Sequence, residues 1–75
     1  MPVSYKQLLK IVAYYDYKLI SQKWSHQKFS KNGKSFILPK HKELKPKTAL
    51  SILKQIGNYE KVDFKQIIKE FNLKI

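Results

Sequence analysis

Two histidines, His26 and His41, are the side chains of this sequence that ordinarily titrate near neutral pH, and both lie among lysines. His26 sits in Lys23-Trp24-Ser25-His26-Gln27-Lys28, and His41 sits in Pro39-Lys40-His41-Lys42. An imidazole gives and takes protons, lysine ammonium groups stabilise developing negative charge, and an indole ring stacks on nucleobases. These groups suit proton transfer at an RNA phosphodiester. When a ribose 2′-OH attacks its own phosphate, a base accepts the hydroxyl proton and an acid protonates the leaving 5′ oxygen. Nearby cations hold the charge of the phosphorane. The same groups also serve plain RNA binding, or stand as unremarkable surface side chains, so composition alone does not decide among these.

The charge balance narrows the choice. Sixteen basic residues oppose five acidic ones, for a net charge of +11. Such an excess opposes compaction and favours a polyanionic partner, nucleic acid ahead of an anionic membrane surface. Every basic residue is lysine. Lysine holds phosphate as a point charge and lacks the planar fork with which arginine reads guanine edges. The sequence has no cysteine, which excludes disulfides and thiolate metal sites. Its scattered histidines and carboxylates predict no metal and no cofactor. No apolar run approaches the ~18 residues of a membrane span. The opening Met-Pro-Val-Ser-Tyr-Lys-Gln has no basic stretch leading into an apolar one, so a cytoplasmic protein is expected, with no membrane partner. The 75 residues fit one domain, 1–75.

The elements that must carry the histidines follow from spacing. Ser4 with Gln7 three residues on forms a capping-box pattern, and Tyr5, Leu8, Leu9, Val12 and Tyr15 recur at helical intervals. A helix is predicted over about 4–15, then a strand over 17–23. Asn32-Gly33 is a strong two-residue hairpin signal and joins predicted strands 24–30 and 35–40. Pro46 suits the first turn of a second helix with Ala49, Leu50, Leu53 and Ile56 inward, and Gly57 suits its end. Asp63 caps a short last helix marked by Phe64, Ile67, Ile68 and Phe71. The predicted fold is α+β, an α-β-β-β-α order with a three-stranded antiparallel sheet. Both long helices lie on one face, as in double-stranded-RNA-binding domains.

The hairpin also predicts which way each side chain points. A turn at Asn32-Gly33 pairs Lys31 with Lys34, Phe29 with Phe36, Gln27 with Leu38, His26 with Pro39 and Trp24 with His41. Side chains alternate across a strand. Phe29, Phe36 and Leu38 then share the core face. Trp24, His26, Lys28, Ile37, Pro39 and His41 share the open one, with the two histidines as diagonal neighbours. A slip of one residue would expose the phenylalanines, and the hydrophobic pattern opposes it.

These residues resemble a known family. Leu19, Gln22, Lys23, Ser25, His26 and Phe29 match one signature block of the HicA-type mRNA interferase toxins. Pro39, His41, Lys42, Glu43, Leu44, Lys45, Pro46, Thr48, Ile52, Leu53, Lys54, Gln55 and Gly57 match the second. The two blocks, in this order and separated by a hairpin, cover about residues 5–57. The resemblance implies a dsRNA-binding-like fold and a metal-independent endoribonuclease that cuts mRNA with His26 as its catalytic residue. It also implies a HicB-type antitoxin that covers the active face. The sequence departs from the family at three points. Trp24 replaces a glycine, Gln27 replaces an often-present second histidine, and Lys47 replaces the glycine before Thr48. If the family glycine serves a positive φ, Trp24 carries strain there.

The expected site therefore has His26 as general base or acid and His41 as a candidate second proton-transfer group, the latter from hairpin register and not from the family. Lys23, Trp24, Ser25, Lys28, Lys45 and Lys47 would contact RNA, with Lys45 and Lys47 at a helix N-terminus that favours phosphate. Trp24, Lys28 and Ile37 are the candidate antitoxin contacts. Two other readings use the same residues. One is an RNA-binding module of this fold that does not cut, and the other is a protein-interaction domain that docks through Trp24 and Ile37.

Overall fold

The computed structural model describes residues 2–75. Helix α1 (Tyr5–Tyr14) begins as the capping box requires: the Ser4 hydroxyl accepts from the Gln7 amide at 3.1 Å, and Gln7 Oε1 accepts from the Ser4 amide at 3.2 Å. Ser4 also ends a two-residue strand, β1 (Val3–Ser4), which pairs antiparallel with β5 (Glu43–Leu44). No periodicity announces strands this short. They hold because Val3 faces Leu44 and both are buried.

Strands β2 (Lys18–Lys23), β3 (His26–Lys31) and β4 (Lys34–Pro39) form an antiparallel sheet in the order β2-β3-β4. Asn32 and Gly33 both adopt positive φ, as a tight hairpin turn demands, and the predicted register from Lys31–Lys34 to His26–Pro39 is observed. The predicted Trp24–His41 pair does not form. The chain turns at Trp24-Ser25, so that Lys23 pairs with His26, and β4 stops at Pro39, which has no N–H to extend the ladder. A register shift between Leu19 and Ser21 leaves Ile20 as an extra, exposed residue in β2.

The core lies on one side of this sheet. Phe29, Phe36 and Leu38 join Leu8, Ile11 and Val12 of α1 and Ala49, Ile52, Leu53 and Ile56 of α2 (Pro46–Glu60) in one buried cluster. Both long helices thus cover the same face, and Ile67 of α3 (Phe64–Glu70) closes the far end. Ile52, not Leu50, belongs to the inward stripe of α2. Gly57 does not end α2. The helix runs on to Glu60, and Lys61, at φ 57°, takes the left-handed capping position. Gly57 is instead a close-approach residue, because a Cβ there would lie 2.7 Å from the Val62 carbonyl oxygen. The overlap is with backbone, so Gly57→Ala is expected to destabilise the fold by about 1–3 kcal/mol in denaturant titration.

One polar cluster ties these layers together. Lys31 Nζ lies 2.7 Å from Glu60 Oε2 and donates to the Tyr15 carbonyl at 2.9 Å, while the Tyr17 hydroxyl donates to Glu60 at 2.7 Å. The hairpin, the exit from α1 and the end of α2 therefore meet at Glu60. Burial pushes the Glu60 carboxyl up, but hydrogen bonds from Lys31 and Tyr17 and the charges of Lys31 and Lys34 outweigh it, and the net direction is down. Burial raises the Tyr17 phenol, and its bond to Glu60 adds to that. The Glu60 contribution is thus fully present above the ordinary carboxylate range, about pH 4–5, and is lost as the pH falls through its lowered value. Glu60→Gln is expected to cost about 1–3 kcal/mol at neutral pH and to flatten the acid limb of a stability–pH curve measured by urea unfolding.

Candidate active site

Among the described residues, both long helices pack on the core face and leave the opposite face of the sheet open. From the register, β2 presents Lys18, Ser21 and Lys23 there, β3 presents His26, Lys28 and Ser30, and β4 presents Ser35, Ile37 and Pro39. His26 opens the central strand, with Lys23 across one ladder, Pro39 across the other and Lys28 two residues along its own strand. None of the five acidic residues belongs to the three strands. Lys31–Glu60, the ion pair seen among the described residues, sits at the opposite end of the hairpin. The lysines around His26 are thus uncompensated by any carboxylate of the sheet.

A cleft of about 800 Å³ curls around the free edge of β4 toward α2. His26, Lys28, Ile37 and Pro39 line one wall, and Lys47, Thr48, Ser51 and Gln55 line the other. The structure therefore brings together expected residues from distant parts of the chain: His26 and Lys28 of β3, Ile37 of β4 and Lys47 of α2. Lys47 reaches the cleft from the first turn of α2, whose N-cap residue Lys45 provides no side-chain hydrogen bond to the helix end. Lys45 itself is exposed and does not line the cleft. Thr48 and Gln55 were not anticipated as cleft residues, whereas Ser51 lies on the helix face that the sequence leaves for solvent or phosphate. Their spacing nonetheless marks a polar stripe on α2, complementary to its apolar one.

His41 is positioned differently. Beyond β4 the Lys40 amide donates to the Ser25 carbonyl at 2.7 Å, and the His41 amide donates to Pro39 at 3.0 Å, turning the chain. His41 Nε2 then lies 3.3 Å from Ser25 Oγ. His41 does not line the cleft, but it contacts the residue that directly precedes His26. Both rings are exposed. The segment is anchored from behind by the Tyr5 amide, which donates to the Lys42 carbonyl at 3.0 Å.

Trp24 and Ser25 make a two-residue turn between β2 and β3, and Trp24 has φ 55°. That region favours glycine and costs other residues about 1–2 kcal/mol. The Trp24 side chain projects into solvent, 80% exposed, with Lys23 Nζ 5.0 Å from its ring centre. Ile37 and Lys28 are exposed as well. Because the backbone at position 24 is strained by any side chain, Trp24→Gly is expected to equal or exceed the parent in stability, by up to about 1 kcal/mol. Trp24→Val is expected to lower it, because a β-branched residue tolerates positive φ worst. Thermal unfolding of the two variants checks both signs.

No helix is long and apolar enough to cross a membrane, and no group of metal-ligating side chains forms among the described residues. No curated protein and no solved structure matches the chain. The family described as HicA toxin of bacterial toxin-antitoxin matches residues 5–57. That span runs from the first residue of α1 to Gly57 in α2 and contains both histidines, the whole sheet and the cleft; α3 lies beyond it. With well over half of its length matched, this chain belongs to the HicA toxin family of bacterial toxin–antitoxin systems.

Proposed function

We propose that the protein is a metal-independent endoribonuclease that cleaves mRNA, the toxin of a pair whose HicB-type antitoxin binds the open sheet face. The observation that carries this reading is the setting of His26: an exposed imidazole lining a cleft, with Lys23 and Lys28 around it, Lys47 contributed to the same cleft by α2, and no carboxylate on its sheet. A single strand of RNA laid in the cleft brings a phosphate between Lys28 and Lys47. His26 then takes the proton of the 2′-OH as it attacks, or delivers one to the departing 5′ oxygen. The lysines stabilise the phosphorane, which has more negative charge than the ground state. The products are a 2′,3′-cyclic phosphate and a free 5′-OH. His41, next to Ser25, is the candidate for the second proton transfer. Trp24, exposed on the turn before His26, offers a stacking surface to RNA. With Ile37 and Lys28 it also offers the antitoxin a contact patch.

A second reading has one specific observation in its favour. Trp24 puts a large ring on the turn beside His26, where the family signature has glycine. A protein so altered would still hold RNA without cutting it. The two readings separate in a cleavage assay on single-stranded RNA with purified proteins. His26→Ala is expected to bind RNA as the parent does and to cleave it about 10²–10⁴-fold more slowly. Equal cleavage by both removes His26 from the chemistry, and binding without cleavage by the parent removes the enzymatic assignment. Replacing the 2′-OH at the cut site with hydrogen is expected to abolish cleavage. Unchanged cleavage by His41→Ala excludes His41 from proton transfer.

A further inference from the structure

Among the described residues Gln27 is the buried polar side chain, 5% exposed, on the sheet face that also carries Phe29, Phe36 and Leu38. It immediately follows His26 and points the other way. Its hydrogen bonds run in one direction. The Tyr5 hydroxyl donates to Gln27 Oε1, Gln27 Nε2 donates to Gln22 Oε1 at 3.2 Å, and Gln22 Nε2 donates to the Trp24 carbonyl at 3.0 Å. The chain thus leads from the first residue of α1, across the inner face of the sheet, to the turn that precedes His26. Tyr5 contributes at both ends of the site, because its amide holds the Lys42 carbonyl next to His41. Ser25 completes the circuit through its bonds to Lys40 and His41. A strained two-residue turn is held from beneath by one relay and from its open side by another.

We infer that Tyr5, Gln27 and Gln22 are positioning residues for His26: they fix the Trp24-Ser25 turn, and through it the direction of the imidazole. The extension rests on His26 as the proton-transfer residue. The relay needs a group at position 27 that accepts once and donates once. A neutral imidazole meets the same requirement. Gln27 meets it through Oε1 and Nε2, and a histidine placed there would offer one ring nitrogen for each role.

Trp24 is the single tryptophan of the sequence, so its fluorescence reports the turn without reference to catalysis. Gln22 is exposed, so Gln22→Met removes the last link without opening the core. In Gln22→Met and Gln27→Leu, acrylamide quenching of Trp24 and its loss of anisotropy are expected to rise. The kcat for RNA cleavage is expected to fall about ten- to a hundredfold with KM nearly unchanged. Gln27→His is expected to restore both readouts. Variants with parental Trp24 quenching and parental kcat overturn the inference. So does a fall in kcat that Gln27→His does not recover while the protein stays folded by circular dichroism. A parent that fails to cut RNA while the turn loosens in Gln22→Met and recovers in Gln27→His supports the relay and sinks the nuclease reading alone.

Discussion

The fold and its candidate site both depend on the register of one hairpin. Positive φ at Asn32 and Gly33 fixes Lys31 opposite Lys34, and every residue of β3 and β4 then has its side assigned. Phe29, Phe36 and Leu38 go inward, where two helices need an apolar surface to pack against. His26, Lys28 and Ile37 go outward by the same alternation. A shift of one residue would bury a histidine and a lysine and expose two aromatic rings, which hydrophobic burial strongly opposes. The burial of the phenylalanines is therefore what holds His26 in solvent.

Electrostatics acts in the opposite direction to the packing. Sixteen lysines against five carboxylates leave a molecule that repels itself, and a small core must offset this. Lys31 escapes by pairing with Glu60, far from the site, while the lysines of the open face have no acid on their sheet. A partner of opposite sign bound to that face relieves the repulsion and adds to the stability of the folded state by mass action. Membership of a toxin–antitoxin family implies pairing with an antitoxin.

The parts legible in the sequence were those governed by strong local rules: the Ser4–Gln7 cap, the Asn-Gly turn, Pro46 at a helix start, and the alternation that put His26 on the open side. The parts missed were set by contacts between distant segments. Trp24-Ser25 contains no glycine or asparagine to announce a turn, and only the pairing of β2 with β3 reveals one. Gly57 has the look of a helix terminator, yet the Val62 carbonyl packed against it decides its role. Leu50 and Ile52 are both apolar, and the sheet's position selects Ile52. The Val3–Leu44 pair and the bulge at Ile20 leave no periodic trace. His41 was expected to face Trp24, but the turn and the end of β4 bring it to Ser25 instead. The cleft needed three dimensions, because Lys47 and Lys28 become neighbours only when α2 lies along β4.

The β1–β5 pair has a further consequence, for the order of events in folding. The two hairpins of the sheet close over two-residue turns, whereas Val3 must find Leu44 across the whole of α1 and the sheet. Loop closure over so long a separation costs more entropy and comes later. The segment from Lys40 to Lys45, which carries His41 and leads into the first turn of α2, is tied to the sheet through Ser25, but it gains its anchor to the N-terminal segment only when that pairing and the Tyr5–Lys42 bond form. The sheet that displays His26 can thus assemble before the rest of its surroundings. In a growing chain, the loop that carries His41 waits for its N-terminal anchor until the first strand has docked.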